Sequence, residues 1–264
     1  MSSPAQSKSA IHETAIIDPS AIIGDGVIID AFVVIGPNVS VGSGTWIGHH
    51  TVVQTNTVIG ENCRIYFSAV LGADPQDLKY AGEETWLHIG DSSVIREFSS
   101  LHRGTVATGK TEIGSSTLIM AFAHVAHDCT IANNVILANG VQLAGHVSIE
   151  EYAIIGGLTP IHQFCRVGAH SMIGGACKVR QDVAPFMKAA DDPLRLITTN
   201  DVGLRRRGFS PEARQAIRRA HRLLCRSQLN TTQALEAIRS ELSGIPEIES
   251  FLRFFQSSER GFVK

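Results

Sequence analysis

The stretch "IDPSAIIGDGVIIDAFVVIGPNVSVGSGTWI", residues 17–47, decides the fold. An aliphatic residue falls at every sixth position: Ile17, Ile23, Ile29, Ile35, Val41 and Ile47. The same frame begins at Ile11 and runs on through Val53, Ile59, Ile65 and Leu71. It resumes at Ile89, Ile95 and Leu101, and again from Ile113 to Val179, so more than twenty positions share it. A helix repeats at 3.6 residues and a simple strand at 2, and neither produces a strict six. A six-residue period predicts a parallel β-helix, with one hexad per flat face and three faces per coil of about 18 residues. The aliphatic residue points inward and stacks on its equivalents in the coils above and below. Two breaks, residues 72–88 and 102–112, are expected to be loops that leave the coil and rejoin it in register. Such loops on a rigid scaffold are common carriers of function.

The period sorts the five cysteines. Cys63, Cys129, Cys165 and Cys177 each lie four residues after an anchor, a slot filled elsewhere by Ala21, Val27, Thr51, Ala123 and Ser171. They are expected to be small apolar wall residues. An odd number, widely spaced and without a CxxC pair, argues against a disulfide framework and for a reducing cytoplasm.

After Pro185 the hexads stop. "SPEARQAIRRAHRLLCRS" has Ser210 as N-cap, Pro211 in the first turn, and Ala213, Ile217, Ala220 and Leu224 as an apolar stripe. A second helix is expected from Thr231 to Leu242 and a third after Pro246, with Ile248, Leu252 and Phe255 on one face. The expected organisation is therefore a leader over 1–10, a β-helix over 11–187 and a helical domain over 188–264. The polar start of the chain has no apolar h-region and reads as a loose leader rather than a secretory signal. No apolar run approaches a bilayer span. The net charge of −2 gives the whole chain no bias towards nucleic acid. Residues 178–226, however, hold twelve Lys or Arg against five Asp or Glu, a local net of +7 that leaves −9 elsewhere. That asymmetry predicts an acidic or phosphate-bearing partner.

The polar candidates cluster in "MAFAHVAHDCTIANN", residues 120–134. With about 18 residues per coil, His127, His146 and His162 are expected to form a ladder on one outer edge, with His124 nearby but facing elsewhere. Two chemistries stay open for such a ladder. Three neutral imidazoles hold a zinc-like ion with an open position, as in a γ-carbonic-anhydrase-type hydratase. Alternatively, one His is a general base oriented through its second nitrogen.

Several stretches are similar to one family: "QDLKYAGE" (76–83), "IREF" (95–98), "HRGTV" (102–106), "AHVAHDC" (123–129), "LAGHV" (143–147), "HQFC" (162–165), "GLRRRGFS" (203–210) and "SERGFVK" (258–264). Together they resemble the UDP-N-acetylglucosamine O-acyltransferases that begin lipid A biosynthesis in Gram-negative bacteria. The resemblance covers nearly the whole chain past residue 11. It implies a left-handed β-helix with a C-terminal helical domain, a homotrimer with sites between subunits, and a cytoplasmic enzyme with no metal and no cofactor. The implied reaction transfers an (R)-3-hydroxyacyl group from acyl carrier protein to the 3-OH of UDP-N-acetylglucosamine. His127 falls on the family's general base, Asp128 on its helper and the N–H of Gly145 on the oxyanion donor. Gln76, Asp77, Lys79, His124, His146, His162 and Gln163 match substrate-contacting positions, and Asn200, Arg206 and Arg207 match positions reaching the nucleotide. The basic stretch after residue 178 matches the dock for the acidic carrier protein. Gly175 falls on the position that sets acyl length, and glycine there implies a chain of about fourteen carbons rather than ten. The sequence departs from the family pattern at Pro75, at Asp191 and Asp192 in place of a Gly-Asn pair, and at Val202, where some members have a glutamate.

Overall fold

Each hexad folds into a two-residue strand followed by a four-residue turn, as in Ile28–Ile29 and Val34–Ile35. The structure, a computed structural model, describes residues 9–264. Most of the expected leader over 1–10 therefore lies outside the described residues, although Ala10–Ile11 already forms the first strand. Strands three apart in sequence pair in parallel, which builds three sheets of eleven, eight and eight strands, the three faces of a prism. Ile11 pairs with Ile29, Ile29 with Ile47 and Ile47 with Ile65, a register of eighteen residues per coil. The anchors line the prism axis and from Ile29 onward are almost wholly buried, whereas Ile11, Ile17 and Ile23 in the first coil are partly exposed.

The two loops explain how the frame survives interruption. Ile65 pairs with Ile95 and Leu71 with Leu101, thirty positions on, so the first insertion adds twelve residues to one coil. Ile95 pairs with Ile119 and Leu101 with Val125, twenty-four positions on, so the second adds six. Both insertions are multiples of the hexad, and each coil above them keeps its inward and outward positions. Cys63, Cys129, Cys165 and Cys177 are buried in the small inward slot with free thiols.

The prism turns its corners through left-handed residues. One coil has Phe122 at φ 61°, Asp128 at φ 60° and Asn134 at φ 60°. A non-glycine residue in this region costs on the order of 1–2 kcal/mol. The corner N–H offsets part of this by donating to a turn carbonyl of the preceding coil, as from Asn134 to Ser115 (3.0 Å) and His146 to His127 (3.1 Å). Phe32 and Asn38 donate instead to the hydroxyls of Thr14 and Ser20, both at 3.0 Å, and Asp128 is a further exception. The 102–112 insertion diverts the turn above it, and its N–H donates to the Thr111 hydroxyl instead, at 2.9 Å.

The sheet does not stop at residue 187, where the sequence pattern placed the boundary. Met187–Ala190 extends the first face in parallel and Arg195–Thr199 returns antiparallel to it. Asp191 turns the hairpin at φ 79°. Four helices follow: α1 (Asp201–Arg206), α2 (Pro211–Cys225), α3 (Thr231–Glu241) and α4 (Pro246–Gln256). The Ser210 side chain caps α2, and Asn230 with Gln233 forms a capping box on α3. Ala213, Ile217, Ala220 and Leu224 of α2 are buried, as are Ile248, Leu252 and Phe255 of α4. The short α1, which carries no hydrophobic period, was not foreseen; Asn200 caps it by accepting from the Gly203 N–H at 3.3 Å.

Candidate active site

The polar cluster lies on the edge between the second face, which carries His124–Val125, and the third, which carries Thr130–Ile131. Successive coils place Ala126-His127-Asp128, Ala144-Gly145-His146 and His162-Gln163-Phe164 one above another, with Gln142 paired to both His124 and Pro160. His127, Gly145 and Gln163 thus share a column, and Asp128, His146 and Phe164 share the next. The expected single ladder of His127, His146 and His162 is replaced by three adjacent columns. Separations of 19 and 35 residues miss multiples of the eighteen-residue coil by one, and one residue is a whole column.

The offset creates the geometry. Asp128 Oδ2 accepts from His127 Nδ1 at 2.8 Å, and because a carboxylate only accepts, Nδ1 carries the proton. His127 Nε2 is then left as the basic nitrogen. Asp128 has a fully buried side chain and takes three further donors: the Thr105 N–H at 2.9 Å, the Thr105 hydroxyl at 2.7 Å and the Thr108 hydroxyl. Burial works against its anion, yet the hydrogen bonds from Thr108, His127 and Thr105 outweigh it and hold the carboxyl at about 2. His146 stacks on Phe164 at 4.5 Å between centroids and meets His127 edge-on at 5.2 Å, its Nε2 3.6 Å from Asp128. Gly145 lies beneath the His127 ring. A Cβ there would stand 2.5 Å from Cε1 and 2.8 Å from Nε2, so only glycine admits the imidazole.

A groove of about 610 Å³ opens along the second face from this edge. It brings together Gln76, His124, His127, Gly145, His162 and Gln163, and its mouth carries Lys178 and Arg180. His124 shares a hydrogen bond with the Ser100 hydroxyl at 2.8 Å, and burial, with His102 and His127 nearby, pushes it down to about 4, so it is neutral at physiological pH. His162 Nδ1 accepts from Arg260 at 2.9 Å, a contact from the far end of the chain that no local pattern signals. Asp77, Lys79 and His146 line a smaller adjoining recess of about 190 Å³ with Thr105 and Val106.

Other candidates sit elsewhere on this chain. Gly175 occupies the opposite edge of the second face, three residues before Lys178, and a Cβ on it would meet the Gly157 carbonyl at 3.2 Å. Asn200, Arg206 and Arg207 belong to the edge between the third and first faces. The Asn200 side-chain amide donates to the His170 carbonyl at 2.9 Å, the Arg207 guanidinium stacks on Tyr152 at 4.1 Å, and Arg206 is exposed. Sequence reasoning missed His102 and Arg103, both buried, and the threonines at 105 and 108. The quoted motif "HRGTV" contains three of these four, but nothing local tied them to Asp128.

Could the cluster hold a metal? His127, Asp128 and His146 each offer a ligand atom within 4.8 Å of the others. Asp128, however, already faces four hydrogen donors across its two oxygens, and a cation would displace His127 Nδ1–H or Thr105 from Oδ2. The donor set fits an oriented imidazole better than a metal ligand shell.

A three-sided parallel prism of hexads with a polar cleft on one edge defines the class of bacterial hexapeptide-repeat transferases, whose family model matches residues 38–73 and 110–145. A second model, described as UDP-N-acetylglucosamine O-acyltransferase domain 2, matches residues 182–263. The chain is 52% identical over 262 residues to the acyl-[acyl-carrier-protein]–UDP-N-acetylglucosamine O-acyltransferase of Burkholderia mallei, and 51% identical over 257 residues to that of Pseudomonas syringae. Each match covers 97% of this chain and all of the relative. Among solved structures, LpxA from Acinetobacter baumannii superposes with a TM-score of 0.93 at 45% identity, covering 96% of this chain and 99% of that one. The Bacteroides fragilis UDP-N-acetylglucosamine acyltransferase gives 0.94 at 41%, covering 96% and 100%. The fold is therefore the left-handed parallel β-helix, and the chain belongs to the UDP-N-acetylglucosamine O-acyltransferase family.

Proposed function

We propose that this chain transfers an (R)-3-hydroxyacyl group from acyl carrier protein to the 3-OH of UDP-N-acetylglucosamine, the first step of lipid A biosynthesis, in the cytoplasm. The observation that carries the reading is the His127–Asp128 pair seated on Gly145 at the head of the groove. A sugar hydroxyl is a poor nucleophile at neutral pH. His127 Nε2 takes its proton as the oxygen attacks the thioester carbonyl, and the imidazolium that forms is balanced by the ionised Asp128. The tetrahedral oxyanion requires a fixed donor, and the Gly145 N–H serves it. Collapse expels the carrier thiolate, which recovers the proton from His127. No step calls for a metal or cofactor.

His162 and Gln163 line the sugar end of the groove, with Gln76 reaching in from the first loop and His124 donating or accepting as a neutral imidazole. Gly175 lies across the second face from His127, at the place where a side chain would end an acyl channel, and its lack of one supports an acyl chain of about fourteen carbons. Lys178 and Arg180 at the groove mouth, with Arg218, Arg222 and Arg226 in a second recess, form the dock for the acidic carrier protein.

Asn200, Arg206 and Arg207 lie on another edge of the prism, so a second copy must bring them to the nucleotide. A homotrimer meets that need. Leu118, Ile136, Ile154 and Met172 on the first face are only half-buried, and Phe98, Phe122 and Leu158 at its edge are 50%, 59% and 71% exposed, an apolar surface suited to a subunit interface.

An assay of the purified chain with UDP-N-acetylglucosamine, its 3-amino analogue and a panel of hydroxyacyl carrier proteins tests reaction, acceptor and chain length together. Ester formation on the 3-OH with the longer chains is expected. Turnover that tracks a stoichiometric zinc, or amide formation as the main product, would overturn the reading.

A further inference from the structure

The segment from His102 to Thr108 touches both halves of the site. At its start, the Arg103 guanidinium is 95% buried and donates to the Gly72 carbonyl at 2.6 Å, the Asp74 carboxylate and the Tyr80 hydroxyl at 3.1 Å. The Arg103 N–H adds a bond to the Ala73 carbonyl at 3.0 Å, and the His102 ring donates to the Asp74 carbonyl. The Tyr80 hydroxyl in turn donates to the Glu83 carbonyl at 3.1 Å. One side chain thus grips the first loop at two points, Asp74 and Tyr80, and Gln76, Asp77 and Lys79 lie between the grips. Two and five residues further on, Thr105 and Thr108 supply three of the four donors to the Asp128 carboxylate. Gly104 joins the two ends, and a Cβ there would come within 2.4 Å of the Lys110 N and 2.6 Å of its Cα, so the crossing is packed against the next strand with no room to shift.

We propose that residues 102–108 form a positioning strap that sets two parts of the site separately: Arg103 holds the Asp77–Lys79 loop over the cleft, and Thr105 and Thr108 hold Asp128 in line with His127. The assignment rests on the reaction proposed above. It explains why this insertion leaves the coil immediately before the coil that bears the base. It also explains why an arginine is buried among loop carbonyls, where its one salt-bridge partner among the described residues, Asp74, is itself largely solvent-exposed. A purely structural arginine would lower stability and turnover together. A positioning arginine divides its effect by substrate.

The test compares Arg103→Gln, Thr108→Val and Thr108→Ser with the wild type in steady-state kinetics and melting. Arg103→Gln is expected to raise KM for the sugar nucleotide by about tenfold or more, with kcat within about threefold. Thr108→Val is expected to lower kcat by about tenfold with that KM unchanged. Thr108→Ser keeps the hydroxyl and should restore it. Two readouts need no turnover: hydrogen exchange of residues 74–83 should quicken in Arg103→Gln alone, and the NMR signal of the His127 Nδ1 proton, bonded to Asp128, should move in Thr108→Val alone. Wild-type protein inactive on UDP-N-acetylglucosamine would overturn the reaction while these two readouts still judge the strap. Parallel losses of kcat and melting temperature in both variants, or unchanged exchange and an unmoved Nδ1 proton signal, would overturn the strap.

Discussion

All three edges of the prism carry a histidine stacked on an aromatic ring, and two of them do opposite things with it. Between the second and third faces, His146 stacks on Phe164 at 4.5 Å and an interplanar angle of 9°. Between the third and first faces, His170 stacks on Tyr152 at 4.9 Å and 16°. The corner backbone is nearly the same, with φ 61° at His146 and 57° at His170. What differs is the company. The first edge has a buried carboxylate held by threonines, and its second imidazole, His127, is turned by a hydrogen bond. The second edge packs Phe186 and Phe209 around His170, whose Nδ1 is buried with no hydrogen-bond partner. Burial, with Arg207 nearby, pushes His170 down to about 4. The scaffold offers equivalent slots, and the segments that cross them decide whether a histidine becomes reactive or inert.

The comparison breaks first at His127. His127→Ala should lower turnover by about 10²–10⁴-fold, the usual contribution of a general base, with melting nearly unchanged. Activity within tenfold of wild type would remove His127 from the mechanism and leave the two edges alike. Next comes Gly145→Ala, whose methyl must displace the His127 ring; a loss of about 10²-fold is expected from a displacement on this scale. A crystal structure of that variant with the ring unmoved would contradict the account.

The inert edge is tested by pH. The native His170 binds fewer protons than the unfolded chain between its unfolded value near 6.5 and its folded value of about 4. Its contribution is therefore fully present above about 6.5 and lost as pH falls to about 4, worth roughly 2 kcal/mol after allowance for partial exposure. His170→Phe keeps the stack and removes the titration, so denaturant midpoints measured from pH 7 to 4 should fall less steeply than in wild type. His124, also held at about 4, leaves a residual slope in both proteins. The smallest effect concerns Cys129, one residue from Asp128. Burial raises its thiol to about 12, and the folded enzyme should keep its activity in iodoacetamide, with mass spectrometry finding Cys129 unmodified until the chain is denatured. Rapid native labelling there would show that the wall slot is open.

Much of the architecture was legible because it is local and repeated. The hexad anchors, the four wall cysteines and the caps at Ser210 and Pro211 follow from side-chain size and backbone chemistry within a few residues. The site was legible only in part. The motif around residues 123–129 marked His127 and Asp128, but spacing alone set His127, His146 and His162 on one ladder when a one-residue offset puts them in three columns. The donors to Asp128 come from a loop some twenty residues earlier, and the Arg260 bond to His162 crosses 98 residues. The sheet's continuation through Met187–Ala190 was not legible, because that strand pairs without the hexad signature.

Taken alone, the sequence determined that this chain coils in hexads, which residues face the axis and that the tail turns helical, because burial of a periodic apolar side chain outweighs any competing local order. Only the tertiary structure decided which outward residues meet. That depends on the length of each insertion and the path it takes across neighbouring coils. The regular coil puts Gly145 under His127, the second insertion brings Thr105 and Thr108 onto Asp128, and the path of the tail sets Arg207 on Tyr152, away from the groove.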